Sequence, residues 1–172
     1  MVEKEKFLID TNSFVAPYRL YYAFDLVPTY WKELSKKADT GRLILLDMVK
    51  DEIDKGQDAL SDWLARQTGF IVCSHVSEEI INQYQEVLRY VQTCGLYREQ
   101  ALAAWAPANI ADPWLIAAAK VNDYTIITGE VSSGGLSPKT PNKNAKIPDV
   151  ANAFGVKTAD LYYMMRQLAI KI

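Results

Sequence analysis

Phe7-Leu8-Ile9-Asp10-Thr11-Asn12 decides how the rest of this chain reads. The apolar run follows a charged start, Glu3-Lys4-Glu5-Lys6, and stops at an acid, a hydroxyl and an amide. That is the pattern of a buried strand ending at the lip of a sheet. In an open α/β sheet, ligands bind outside the carboxyl ends of the strands, so Asp10 stands where an acid can hold a metal or position a substrate. Asp10 or Asn12 could equally cap a helix beginning near Ser13. The hexapeptide alone supports both readings.

Outward from this stretch, the pattern alternates. Ser13 to Ala23 has helical spacing despite Pro17, and a helix runs from Pro28 to about Ala38. Leu43-Ile44-Leu45-Leu46 reads as a second buried strand, with Asp47 capping a helix that contains Glu52. Asp58 to Gln67 is a short helix, Phe70 to Cys73 an edge strand, and Ser77 opens a long helix stopped by Gly95. Another helix spans Tyr97 to Trp105, and the middle helices together suggest a lid or partner surface. Asp112 caps an Ala-rich helix with Pro113 as its first residue. Tyr124-Thr125-Ile126-Ile127-Thr128 is a third core strand. A loop over 129–147, rich in Ser, Gly, Pro and Asn, precedes a short helix at Pro148-Asp149. A last strand is expected at Gly155-Val156-Lys157, then a final helix. Strands alternating with helices imply one domain over 1–172, a three-layer α/β/α sandwich with a central parallel sheet.

Composition narrows the function classes. The 172 residues are 49% hydrophobic and 23% charged, with a net charge of −2, which suits a globular domain and argues against general disorder. With pI about 5.5, the chain lacks the global basic signature of a nucleic-acid binder, so any nucleic-acid substrate needs a local basic patch or metal ions. No apolar run approaches the roughly 18 residues of a membrane span, and the start lacks a signal-peptide pattern, so a cytoplasmic location and no membrane partner are expected. Cys73 and Cys94 have no metal or disulfide spacing. The single histidine, His75, excludes a histidine pair and reads as a structural residue at a strand end.

Four acids stand at element transitions: Asp10, Glu52, Asp112 and Glu130. The carboxyl edge of a parallel sheet would gather them into one cleft. Converging carboxylates repel, and a hard divalent cation such as Mg²⁺ or Mn²⁺ would neutralise them. Such a site suits phosphodiester hydrolysis and needs no histidine. Taken singly, Asp112 is also a good N-cap, Glu52 a solvated helix residue and Glu130 a loop acid.

In order, Phe7-Leu8-Ile9-Asp10-Thr11-Asn12, Val49-Lys50-Asp51-Glu52-Ile53, Ala111-Asp112-Pro113-Trp114-Leu115-Ile116-Ala117-Ala118-Ala119 and Ile126-Ile127-Thr128-Gly129-Glu130 resemble a PIN domain. This is the metal-dependent ribonuclease fold of VapC-type toxins, and the chain resembles a longer branch of it. The resemblance implies catalytic and metal-binding roles for Asp10, Glu52 and Asp112, with Asn12 fixing the first acid and Thr128 beside the site. The family's fourth acid is usually an aspartate; here Glu130 or Asp149 would complete the set. RNA is the implied substrate, with Lys139, Lys143 and Lys146 as candidate phosphate contacts. A small antitoxin and a homodimer are the implied partners. The rival readings are a catalytically silent PIN-fold module that binds RNA or protein, and an α/β phosphohydrolase using Asp10 as nucleophile. Asn12, standing where the latter wants a second acid, counts against it.

Overall fold

A computed structural model describes residues 3–172. Five strands form one parallel sheet in the order β3-β2-β1-β4-β5. They are β1 (Phe7–Ile9), β2 (Leu43–Leu46), β3 (Ile71–Cys73), β4 (Thr125–Ile127) and β5 (Thr158–Ala159). β1, β2 and β4 are buried along their whole length, as strands with both faces covered must be. β3, at one edge, is largely exposed.

Between β1 and β2 lie α1 (Asn12–Ala16), a π-helical turn (Pro17–Tyr21) and α2 (Pro28–Ala38). The turn is a departure from the helix expected over 13–23. Pro17 has no N–H to donate within the helix, and the Tyr22 amide reaches the Pro17 carbonyl at 2.7 Å, an i to i+5 bond. α3 (Asp47–Asp54) and α4 (Ala59–Ala65) lead to β3. α5 (Glu78–Thr93), α6 (Glu99–Trp105) and α7 (Ala111–Asn122) lead to β4, and α8 (Ile147–Ala153) to β5, with α9 (Leu161–Gln167) last.

Right-handed crossovers fix the layers. The chain moves one way along the sheet from β1 to β3 and the other way from β3 to β5, so α1–α4 cover one face and α5–α8 the opposite face. The first face is aromatic: Phe24 lies 4.4 Å from Trp31, Trp31 lies 4.9 Å from Trp63, and Phe14 lies 5.9 Å from Phe70, ring centre to ring centre. On the second face Tyr84 of α5 stacks flat on Trp114 of α7 at 3.7 Å. The middle helices, expected as a lid or partner surface, thus form a layer of the core through Ile80, Val87, Val91, Ala101 and Trp105. Ala117, Ala118 and Ala119 are buried on α7, where small side chains let the helix approach the sheet.

The last strand is displaced from expectation. Gly155, with φ of 67°, ends α8, and the Val156 amide folds back on the Ala151 carbonyl. Pairing with β4 begins only where the Ile126 amide donates to the Lys157 carbonyl at 2.9 Å and runs to Ala159. Among the described residues, no helix is long and apolar enough to cross a membrane.

Gly69 marks the tightest passage of the first layer. A Cβ there would stand 2.7 Å from the Asp39 nitrogen and 2.8 Å from the Ala38 carbonyl carbon at the end of α2. Both are backbone atoms, which cannot rotate away. Gly69→Ala is therefore expected to lower stability by about 1–3 kcal/mol, read as a lower urea midpoint; an unchanged midpoint would contradict this packing.

Candidate functional site

The strand order reverses between β1 and β4, and at such a switch point a parallel sheet opens a crevice beyond its carboxyl ends. β1 runs directly into Asp10, and β4 runs into Thr128, Gly129 and Glu130. The ladder continues one step past the strands, the Asp10 amide donating to the Ile127 carbonyl at 2.9 Å. Asp10 is only 7% exposed and Thr128 only 3%. The Thr128 hydroxyl donates to Asp10 Oδ2 at 3.0 Å, and its oxygen accepts the Glu130 amide at 3.1 Å. The Thr11 backbone amide also favours the ionised Asp10 carboxylate.

The other acids arrive from separate elements. Glu52, in the second turn of α3, accepts a 2.6 Å hydrogen bond from the Thr11 hydroxyl. Asp112 lies in the first turn of α7. It is not the N-cap that the sequence suggested: Ile110 holds that position, extended, which moves Asp112 and Pro113 inside the helix. Glu130 accepts the Ile147 amide at 2.7 Å, tying the exit of β4 to the start of α8.

Electrostatics binds the four into one group. Burial pushes the Asp10 carboxyl up to about 6, against the Thr128 and Thr11 hydrogen bonds and with the help of the charges on Glu130 and Glu52. Burial, then the charges of Asp10, Glu130 and Glu52, push Asp112 up to about 7. Among the described residues, no Lys or Arg forms an ion pair with any of the four. Buried, mutually repelling carboxylates without a cationic partner are expensive.

Asp149 stands apart. Its Oδ2 accepts the Ser133 amide at 2.9 Å, and its charge acts on Tyr97 and Tyr90. It closes the long loop, whose far side is pinned by the Arg98 amide on the Asn142 carbonyl at 2.8 Å. Lys139 and Lys143 are exposed and Lys146 half-buried. Asn12 does not fix Asp10 in this structure: it is exposed and forms no hydrogen bond to the acid. That orienting work falls to Thr128, while buried Ser13 bonds the Ile127 carbonyl at 3.2 Å. Sequence reasoning missed Thr11 and Ser13, although a hydroxyl directly after a strand-end acid was a usable signal. It also missed a pair at the same edge, where Asp47 Oδ2 meets His75 Nδ1 at 2.8 Å beside Trp114.

Among the described residues, no group of three or more His, Cys, Asp or Glu side chains already forms a metal cage. Glu52 and Glu130 are engaged by Thr11 and Ile147. The donor chemistry still fits a hard divalent cation, since four carboxylate groups share one edge and two, Asp10 and Asp112, are driven toward protonation by burial and by neighbouring acids.

These shifts make stability depend on pH. Asp10 and Asp112 hold protons more tightly folded than at their ordinary value of 3.8. Their contribution is full below about pH 4 and is lost as pH rises through about 6 and 7, by an amount on the order of a few kcal/mol. In chelator, Asp112→Asn should therefore be more stable than wild type at pH 8, with the gap closing by pH 5, as read from urea unfolding. Parallel stability curves would contradict the shift.

Comparison with known proteins came to the same architecture. The crystal structure of VapBC2 from Rickettsia felis bound to a DNA fragment from their promoter is similar over 90% of this chain and 97% of that one, with a TM-score of 0.54 at 12% identity. The likeness is one of fold, and the fold is PIN-like. No curated protein matched the chain. A family model described as a domain of unknown function (DUF4411) matches residues 7–172, nearly the whole length, and the chain belongs to that family.

Proposed function

We propose that this protein is a metal-dependent endoribonuclease, with Asp10, Glu52, Asp112 and Glu130 as its metal-binding and catalytic acids. One observation carries the reading: four acids from four separate segments meet at the switch point of the sheet, where the charges of Glu52 and Glu130 bear on Asp10 and Asp112 and, among the described residues, no Lys or Arg pairs with any of the four. The PIN-like fold and the motif order support it. Mg²⁺ or Mn²⁺ bound there would polarise a phosphodiester and make a water nucleophilic near neutral pH.

The chain's own residues prepare that chemistry. Thr128 holds the Asp10 carboxylate in one orientation. Glu52 is exposed and held by a single side-chain hydrogen bond, so it can leave Thr11 for a stronger ligand. Glu130 needs only a second use of its carboxylate, one oxygen accepting the Ile147 amide. Asp149 is the reserve candidate for the fourth acid, ranked behind Glu130 because the Glu130 charge bears on Asp10 and Asp112 whereas that of Asp149 bears on Tyr97 and Tyr90. Exposed Lys139 and Lys143, with Lys146, would meet phosphates of the RNA. The similarity in fold to a structure of VapBC2 supports a toxin role with a small antitoxin as partner; a homodimer and a cytoplasmic setting complete the proposal.

A second reading is favoured by the absence, among the described residues, of a ready-formed cage. It is a silent PIN-fold module that binds RNA or protein without cutting. Cleavage of labelled RNA in Mg²⁺ or Mn²⁺ separates the two. The nuclease reading predicts cleavage that stops in chelator and falls roughly 100-fold or more in Asp10→Asn. Cleavage that survives chelator or the substitution would overturn the assignment of the acids, and none under any condition would favour the silent module.

A further inference from the structure

We propose that a pocket beside the acidic edge receives one unstacked nucleobase of a single-stranded RNA, an inference that rests on the nuclease reading for its substrate class. The pocket has a volume of about 230 Å³ and is bordered by Asn12, Tyr21, Tyr22, Gly129, Asp160 and Tyr162. Two of these residues flank the carboxylates: Asn12 lies two positions after Asp10, and Gly129 sits between Thr128 and Glu130. A strand whose backbone crosses the acids would thus bring its next base to this opening. The volume lies below the roughly 300–1,000 Å³ of sites for larger organic ligands, which suits a single planar ring system.

The chemistry in and beside the pocket matches the face and edge of a base and the phosphate of a nucleotide. Tyr21 and Tyr162 leave 61% and 55% of their surface exposed, offering π faces on which a base stacks. Tyr22, on the same pocket wall, is fixed by its ring packing 4.5 Å from the fully buried Tyr30. Asp160 uses Oδ1 to cap α9 on the Tyr163 amide at 2.7 Å, and among the described residues Oδ2 has no side-chain partner, so it can accept an N–H from the edge of a base. Arg166 places its guanidinium 6.0 Å from the Tyr162 ring centre and, among the described residues, forms no ion pair, so it is available to a phosphate. A Cβ on Gly129 would meet no atom within 4 Å, so a chain can pass over that point. An apolar side chain of a partner protein would use the rings but neither the open carboxylate oxygen nor the guanidinium.

The test is binding without cleavage. Fluorescence anisotropy with a fluorescein-labelled single-stranded RNA decamer, in chelator, should show affinity lowered roughly 5- to 150-fold by Tyr162→Ala and retained by Tyr162→Phe. A scan of single abasic positions should find one whose loss weakens wild type by a similar factor and Tyr162→Ala little further. Equal affinity of Tyr162→Ala and wild type, or an abasic penalty identical in both, would overturn the pocket, and would leave a protein segment as its remaining occupant. Because chelator suppresses metal chemistry, the two readings fail separately. Position-specific binding with no cleavage in Mn²⁺ would keep the pocket and sink the nuclease, whereas cleavage with Tyr162-independent binding would do the reverse.

Discussion

Four carboxylates brought to one edge of a parallel sheet repel one another, and this repulsion is the constraint around which the molecule is built. Each acid is harmless in its own segment. The fold creates the cost by seating Asp10 at the end of the central strand, almost out of water, and by bringing Glu52, Asp112 and Glu130 within range of it. A sequence selected only for stability would replace such a group by residues that pack or pair. Keeping it makes sense where a cation completes the charge balance, and the surrounding bonds are consistent with a group held ready: Thr128 on Asp10, Thr11 on Glu52, the Ile147 amide on Glu130.

Topology supplies the rigidity that such a site requires. β1 pairs with β2 on one side and β4 on the other, so Asp10 and Thr128 leave neighbouring strands in register, Ile9 opposite Ile127. α7 carries Asp112 on a helix that is buried for most of its length and braced by the Tyr84–Trp114 stack. The Trp114 indole N–H donates to the Ala108 carbonyl at 3.1 Å, anchoring the turn that leads into that helix. The aromatic cluster beneath the other face fixes the first crossover and, through Tyr30 and Tyr22, the wall of the neighbouring pocket. Site and pocket are therefore two products of the same packing.

Much of this was legible in the chain. Phe7-Leu8-Ile9, Leu43-Ile44-Leu45-Leu46 and Thr125-Ile126-Ile127 read as strands because parallel strands buried on both faces are continuous apolar runs. Pro28 gave the start of α2, Ser77 the opening of α5 and Asp58 the beginning of the short helix α4; the structure makes Ser77 and Asp58 their caps. β5 was not legible, since two half-buried residues carry too little pattern, and Gly155-Val156-Lys157 looked more strand-like than Thr158-Ala159. Nor did sequence tell which partner each acid takes. Thr11 reaches Glu52 across 41 positions and Ile147 reaches Glu130 across 17, distances that only the closed fold collapses. The resemblance to PIN domains implied Asn12 as the support for Asp10, yet the support comes from Thr128 on the adjacent strand.

The most direct measurement of the central claim is a calorimetric titration of Mn²⁺ into wild-type protein and Asp112→Asn, near neutral pH. The account predicts saturable binding to wild type that is lost or weakened at least roughly tenfold in the variant, with its fold intact by circular dichroism. Wild type that takes up no Mn²⁺, or a variant that binds as tightly as wild type, would show that the acidic edge is not a metal site.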